Sequence, residues 1–301
     1  MVNANTPAEV EINETVIRAL LRQCPSIDGM ETASMPLAPF NNGWDNDMWS
    51  LGDTHLVRLP RRQVAEQLIL NEQRTLSVLA PRLSLPVPVP VHAGVPQGGY
   101  PWHWSVVRRF PGARAAESVL AAPGAEAARL ALFLRELHTP APADAPENIF
   151  RGGGIASRDT SFRETSALCA ARGEYSLAAM NAVWDHALAA PVWDGAPQWL
   201  HGDLHTANII VDGGRISAVI DWGDVCSGDP ACDLAVAWML FGADARDVFF
   251  GTYGEGSPGL QERARAWALN FGLVYLRSAE GDPLMDLMGH TVLDRVIGRV
   301  K

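Results

Sequence analysis

The run WLHGDLHTANIIVDGGRISAVIDWGDVCSGDPACDLA, residues 199 to 235, holds His201, Asp203, His205, Asn208, Asp221, Asp224, Asp229 and Asp233, with Arg215 as its single basic residue. Acids crowded beside apolar strands are costly unless a cation is present. The spacing predicts a strand at 209–211, a Gly-Gly turn over 212–215 and a returning strand at 216–220. Such a hairpin brings Asn208, at its entrance, close to Asp221, at its exit. Two oxygen ligands at one end suit magnesium, which takes one or two protein groups and completes its shell with water and phosphate oxygens. Asp203, on the loop leading in, is placed to accept a proton from a hydroxyl. A competing use of the same residues is a two-metal hydrolase built from His201, Asp203, His205 and Asp221. That use leaves Asn208 without a role.

These residues need a scaffold. An amphipathic helix is expected over 9–23, carried by Val10, Ile12, Val16, Ile17, Leu20 and Leu21. Turns and short strands follow through residue 60, with a tight hairpin turn at Gly52 and Asp53. Helical periodicity returns at 63–79, where Leu68, Ile69, Leu76 and Leu79 define one face. Glu72 falls in the middle of that face. An ionised carboxylate there requires a cation or several donors, since a dry unpaired one costs several kcal/mol. Arg58, on the preceding strand, is the nearest cation; the alternative is that Glu72 reaches water at the helix edge. The Pro-Val alternation of 85–94 reads as an extended connector, and 102–110 as a further strand stopped by Pro111 and Gly112. Beyond residue 112 strands give way to helices, at 124–138 and largely through 160–190, separated by a Pro/Ala/Gly-rich loop at 139–157.

Composition narrows the class. The chain has 301 residues, a formal charge of −10, 48% apolar and 19% charged residues, which fits a folded enzyme-sized protein rather than a disordered one. The acidic balance makes nucleic acid a poor partner, because phosphate binding needs clustered cations. No uninterrupted apolar run is long enough to span a membrane. No signal peptide is visible, and four scattered cysteines suggest neither a disulfide scaffold nor a thiolate metal site, so a cytoplasmic location is expected.

HGDLHTANII and the following IDWGD resemble the catalytic and metal-binding segments of the kinase-like aminoglycoside phosphotransferase family: the Asn stands five residues after the first Asp, another Asp thirteen beyond it, and GDPACDLA follows. Weaker likeness extends through LVRLPRR (56–62), NEQRTLSVL (71–79), SVVRRFPG (105–112) and LALFLRELH (130–138). The resemblance implies an α+β, bilobal protein-kinase-like fold, with a small antiparallel-sheet nucleotide-binding lobe over 1–112 and a large, mainly helical lobe over 113–301. It implies a magnesium-dependent phosphotransferase that uses ATP, with GTP as the alternative, to phosphorylate a small-molecule hydroxyl. Asp203 is then the catalytic base, and Asn208 and Asp221 the magnesium ligands. Asp233 braces the catalytic loop and His201 packs beneath it. Arg58 stands where many members carry a phosphate-orienting Lys, with Glu72 as its partner. Arg109, Phe110 and Gly112 form a hinge offering backbone groups to adenine, and Val107 touches the ring. Two departures stand out. NNGWDND has only Gly43 where many kinases have several glycines, so backbone N–H groups and Asn46 are the expected phosphate contacts. Arg at 58 exchanges a mobile point charge for a rigid fork.

Acceptor recognition is expected from 160–190 and the chain beyond 235. Asp244, Asp247, Glu255, Glu262, Glu280, Asp282 and Asp286 make the later region acidic, either to receive a cationic aminoglycoside or as an ordinary solvated surface. Phe249, Phe250, Tyr253, Trp267 and Tyr275 either line a site for a less polar acceptor or form core, and Trp44 and Trp49 either border a cleft or pack. Macrolide, choline-like and sugar acceptors, and a nucleotide-binding module without catalysis, are the alternatives. The oligomeric expectation is a monomer or homodimer.

Overall fold

The computed structural model describes residues 7–43, 45–254 and 256–299. Trp44 and Glu255 lie outside the described residues.

The chain begins with α1 (Glu14–Leu20), shorter than the periodicity suggests. Asn13 accepts the Val16 N–H at 3.0 Å and so fixes the start. Residues before it are irregular, with a bend at Glu9 and Val10, and Glu9 instead caps the next long helix by accepting the Gln63 N–H at 3.0 Å. The short strands β1 (Ser26–Ile27) and β2 (Met30–Glu31) pair as a hairpin. An antiparallel sheet follows, built from β3 (Leu37–Asn42), β4 (Asn46–Leu51), β5 (His55–Pro60), β6 (Pro90–Gly94) and β7 (Trp104–Arg108), in the order β3-β4-β5-β7-β6. The β4–β5 turn closes on the Leu51↔His55 pair around Gly52. The helix α2 (Gln63–Leu79) lies between β5 and β6 in sequence and matches the expected span.

The expected connector over 85–94 is corrected in its second half. Residues 90–94 form an edge strand on β7, with a bulge between Pro90 and His92. A sheet edge and a bulge are where proline's missing N–H is tolerated. The expected strand at 102–110 is shorter, because the chain leaves the sheet after Arg108.

After β8 (Ala113–Arg114) the chain becomes mainly helical: α3 (Pro123–Leu137), α4 (Asp159–Ala170) and α5 (Leu177–Ala189). Leu130, Phe133, Leu134 and Leu137 are all buried on α3, as the pattern predicts. The stretch at 139–157 is mostly irregular, but a short 3-10 turn begins at Ile155. Phe162 and Trp184 stack with ring centroids 3.9 Å apart and join α4 to α5. The strand β9 (Gln198–Leu200) leads to the hairpin β10 (Ile209–Asp212) and β11 (Arg215–Val219), then β12 (Cys226–Gly228). The rest is α6 (Ala231–Leu234), α7 (Val236–Leu240), α8 (Ala243–Tyr253), α9 (Leu260–Arg277) and α10 (Pro283–Val296). Helix α9 is the hub, contacting α4, α5, α6, α7 and α10.

The protein has a bilobal α+β architecture with two compact units. Residues 1–81, 86–111 and 220–223 form one, and 82–85, 112–219 and 224–301 the other. The first has a core of Ile17, Leu20, Leu51, Val57, Leu59, Trp104 and Val106, with Trp49 packed against it. In the second, Phe249, Phe250 and Trp267 are buried core side chains. Apolar packing accounts for them, rather than an acceptor surface. All four cysteines are buried free thiols. Among the described residues, no helix is long and apolar enough to cross a membrane.

Candidate active site

In the first unit, β5 and α2 place Arg58 and Glu72 face to face. Glu72 is fully buried, and Arg58 Nη1 donates to both its oxygens, at 2.6 Å and 2.5 Å. This resolves the alternative left by the sequence, since Glu72 has no access to water. The Trp222 N–H donates to Glu72 Oε2 at 3.2 Å, and Arg58 Nη2 donates to Asp221 Oδ1 at 3.0 Å. Burial pushes the Glu72 carboxyl up and Arg58 opposes it; burial would lower Arg58, but Glu72 and Asp221 outweigh that and hold it charged. Asp221 has φ 63°, a left-handed conformation uncommon outside glycine, and its side chain is 55% exposed. One carboxylate oxygen thus faces Arg58 while the group as a whole reaches solvent.

Asn46 opens β4 and is buried, with its Oδ1 lacking a partner. Two arginines that sequence reasoning passed over hold the preceding loop. Arg61 Nη1 donates to the Gly43 carbonyl at 3.3 Å, and Arg62 pairs with Asp45 at 2.7 Å. Val107 is buried in β7, paired with Leu56 and Pro90. At Arg109, one of the residues named for the hinge, the N–H donates to the Thr54 carbonyl at 2.8 Å. Its guanidinium lies 4.6 Å from the ring centroid of Phe40. Phe110 follows in the same unit and is partly buried; Gly112 begins the second unit, with φ 111°.

In the second unit, the 201–208 loop is tied from below by Asp233, which is fully buried. Its two oxygens accept the N–H groups of His201 at 2.7 Å and Gly202 at 2.9 Å. His138 Nε2 lies 3.2 Å from the same carboxylate and its Nδ1 2.8 Å from the Tyr253 hydroxyl. A Tyr hydroxyl donating to Nδ1 leaves the ring proton on Nε2, facing Asp233. Gly202 is required here: φ is 83°, and a Cβ would sit 2.3 Å from the Asp224 carbonyl oxygen.

Asp203 emerges from this loop with its side chain 23% exposed and both oxygens held. Arg151 Nη2 donates to Oδ1 at 3.0 Å, and His205 Nε2 lies 3.3 Å from Oδ2. The Ala207 N–H donates to His205 Nδ1 at 3.2 Å, which puts the ring proton on Nε2, toward Asp203. Burial would raise the Asp203 carboxyl, but His205, Arg151 and His201 outweigh it and hold it well below the ordinary carboxylate range. Asn208 is buried, and its Nδ2 donates to the Asp203 carbonyl at 2.9 Å. That bond leaves Oδ1 as its ligand-type atom. His201 is fully buried, and its Nδ1 accepts the Asp203 N–H at 3.3 Å.

The hairpin pairs Ile209 with Val219, and Gly213 and Gly214 turn it at φ 54° and 77°, as a two-residue loop requires. In sequence Asn208 immediately precedes Ile209 and Asp221 stands two residues beyond Val219. A carboxylate and an amide oxygen fit magnesium, which takes few protein ligands. Both histidines of the two-metal alternative commit a ring nitrogen to a backbone N–H. Among the described residues, no three His, Cys, Asp or Glu side chains converge as a metal set.

Sequence reasoning missed Arg151, Asn148 and the Arg263–Asp229 pair. Asn148 donates to Asp224 at 2.7 Å, and Arg263 Nε donates to Asp229 at 2.7 Å. A lone Arg before three glycines was the available signal for Arg151. The same stretch lines a cavity of about 550 Å³ with Ile149, Arg151, Ile155, Leu188 and Trp193. Of the later acids, Asp282 caps α10 by accepting the Leu284 and Met285 N–H groups, whereas Asp244, Asp247 and Asp286 are exposed. Tyr275 is buried against His205, with ring centroids 5.5 Å apart.

A curated relative, the viomycin phosphotransferase of Streptomyces vinaceus, is 29% identical over 256 residues, covering 78% of this chain and 86% of its own. Among solved structures, the GDP complex of aminoglycoside 2′-phosphotransferase-IIIa aligns with a TM-score of 0.69 at 16% identity, covering 95% of this chain and 99% of that one. The macrolide 2′-phosphotransferase of Brachybacterium faecium aligns at 0.62 and 21%, with the same coverages. These likenesses establish a kinase-like fold. The model of the phosphotransferase enzyme family matches residues 36–267, and this chain belongs to that family.

Proposed function

We propose that the protein transfers the γ-phosphoryl group of ATP, or of GTP, to a hydroxyl of a cationic small molecule, with a viomycin- or aminoglycoside-like antibiotic as the acceptor. The observation that carries this reading is Asp203: a carboxylate held on both oxygens, on a loop that Asp233 fixes through two backbone N–H groups. Phosphoryl transfer passes through a loose transition state, so catalysis depends mainly on positioning and on electrostatic stabilisation. Asp203 orients the acceptor hydroxyl and receives its proton. Asn208 and Asp221 would hold magnesium, which supplies positive charge to the phosphate oxygens when bound. Arg58, fixed by Glu72, orients phosphate from residues 1–112, the proposed nucleotide lobe. Phe110 and the Arg109 carbonyl are the proposed hinge contacts to the base, with Val107 against the ring and Gly112 ending the hinge. Asn46 and the backbone of its loop are the proposed phosphate contacts. His201 and Asp233 support the loop.

A cavity of about 550 Å³ lined by Arg151, itself bonded to Asp203, offers room for a small molecule. The viomycin phosphotransferase relative supports placing viomycin first among candidates. The test is a parallel incubation with magnesium and ATP or GTP against viomycin, kanamycin, gentamicin, streptomycin, a macrolide and choline, read by mass gain of one phosphoryl group. Transfer should fall about 10³-fold in Asp203→Asn while nucleotide binding persists. Turnover of that variant at the normal rate would refute the role of Asp203.

A further inference from the structure

Two arginines in the second unit differ in a telling way: Arg263 is buried, whereas the Arg151 side chain is 19% exposed. Arg263 is saturated: Nε and Nη2 meet Asp229 at 2.7 and 3.3 Å, Nη1 donates to the Pro191 and Pro258 carbonyls, and Nη2 also reaches Ser257. That is the pattern of an arginine built to hold a fold together. Arg151 makes one strong bond, to Asp203 Oδ1 at 3.0 Å, and one long one, to the Phe150 carbonyl at 3.4 Å. Its Nε is buried without a partner, and its guanidinium lies 4.6 Å from the Phe271 ring centroid. The ring packs against the fork, and Asp203 is the one side-chain acceptor that directs its edge. The loop carrying it is itself anchored, because the Asp229 N–H donates to the Gly152 carbonyl at 2.9 Å and Asn148 donates to Asp224 at 2.7 Å.

We propose that Arg151 is a positioning residue of the transfer reaction: stacked on Phe271 and aimed from an anchored loop, it fixes the Asp203 carboxylate in the rotamer that meets the acceptor hydroxyl. His205 holds the other oxygen, so the carboxylate plane is set from two sides and the remaining lone pairs stay available to the acceptor. Loss of Arg151 frees one side of that clamp, and the geometry of attack degrades although the base itself is retained. The inference rests on the reading of Asp203 given above.

The experiment compares wild type, Arg151→Gln, Arg151→Lys and Asp203→Asn, with magnesium-ATP and viomycin or whichever tested acceptor gains a phosphoryl group. ATP hydrolysis by water is followed alongside. In Arg151→Gln, kcat should fall about 10²-fold with the KM for ATP changed less than about threefold. Arg151→Lys should recover only part, because an ammonium lacks the fork. Millimolar guanidinium should raise the rate of Arg151→Gln and leave Asp203→Asn unchanged. Thermal melting of every variant identifies folding defects, and rescue by guanidinium separates positioning from a structural role. An Arg151→Gln enzyme within about threefold of wild-type kcat, or one whose loss no guanidinium restores, overturns the proposal. Undiminished transfer by Asp203→Asn instead overturns the reading on which it rests. A wild type that neither modifies an acceptor nor hydrolyses ATP removes both.

Discussion

Glu72 shows how much one residue can disclose. A carboxylate at the centre of an apolar helical face conflicts with the pattern around it, and the conflict calls for a cation or several donors within reach of that face. Arg58 supplies the cation, through both carboxylate oxygens. Glu72→Gln should lower stability by about 3 kcal/mol, measured by chemical denaturation, because a buried guanidinium loses the charge that balances it. Asp221 still faces Arg58 in that variant, so the guanidinium will turn toward it. The KM for ATP should rise more than kcat falls, and an unchanged KM would show that the pair is purely structural. Arg151 had no comparable signal. It stands 52 residues before Asp203, in a Pro/Ala/Gly-rich stretch without periodicity, and tertiary folding alone brings the two together.

At the scale of elements, legibility follows from how local the determining forces are. The hairpin after Asn208 could be read because alternation, a Gly-Gly turn and its flanking strands lie within eleven residues, 209–219. The limits of α2 could be read for the same reason. The start of α1 could not, because the apolar residues before Asn13 continue the helical pattern while Glu9 is drawn away to α2. The strand at 90–94 was hidden by prolines that only its edge position makes tolerable. Two glycines separate the demands of an element from those of the site. Gly202→Ala must push against the Asp224 carbonyl, where its Cβ would lie at 2.3 Å. The 201–203 backbone would shift, and kcat should fall at least about 10²-fold. Gly213→Ala has φ 54° but nothing within 4 Å of its Cβ, so it should cost about 1 kcal/mol of stability and leave turnover intact. Equal kinetic losses in the two variants would mean that the hairpin turn, rather than loop geometry, limits catalysis.

At the scale of the whole molecule, a division near residue 112 was legible because the sequence changes there from strand to helix, and the contiguous polar run at 199–235 carried the resemblance that implied the fold class. Packing between distant segments was not legible, and one such contact predicts an acid sensitivity of the first unit. His55 is fully buried on β5, with its Nδ1 3.0 Å from the Thr54 hydroxyl and its Nε2 3.7 Å from Asp28. Burial lowers its pKa; Asp28 opposes that, and Arg108 adds to it. His92, partly buried beside Trp104 with ring centroids 5.2 Å apart, is lowered by burial as well. Both rings therefore take up protons less readily in the folded chain than in the unfolded one. Stability then rises with pH through the window between the depressed folded values and the ordinary histidine value near 6.5, and is complete above it. Acidification below about 6.5 should weaken the first unit, by at most about 1.4 kcal/mol per pH unit for each histidine. Thermal melting of wild type and His55→Gln at pH 7.5 and 5.5 checks this. The wild type should lose more of its melting temperature on acidification than the variant, whose neutral amide has no proton to gain. A variant that keeps the full wild-type difference would assign the acid sensitivity to other groups and leave His55 a packing residue.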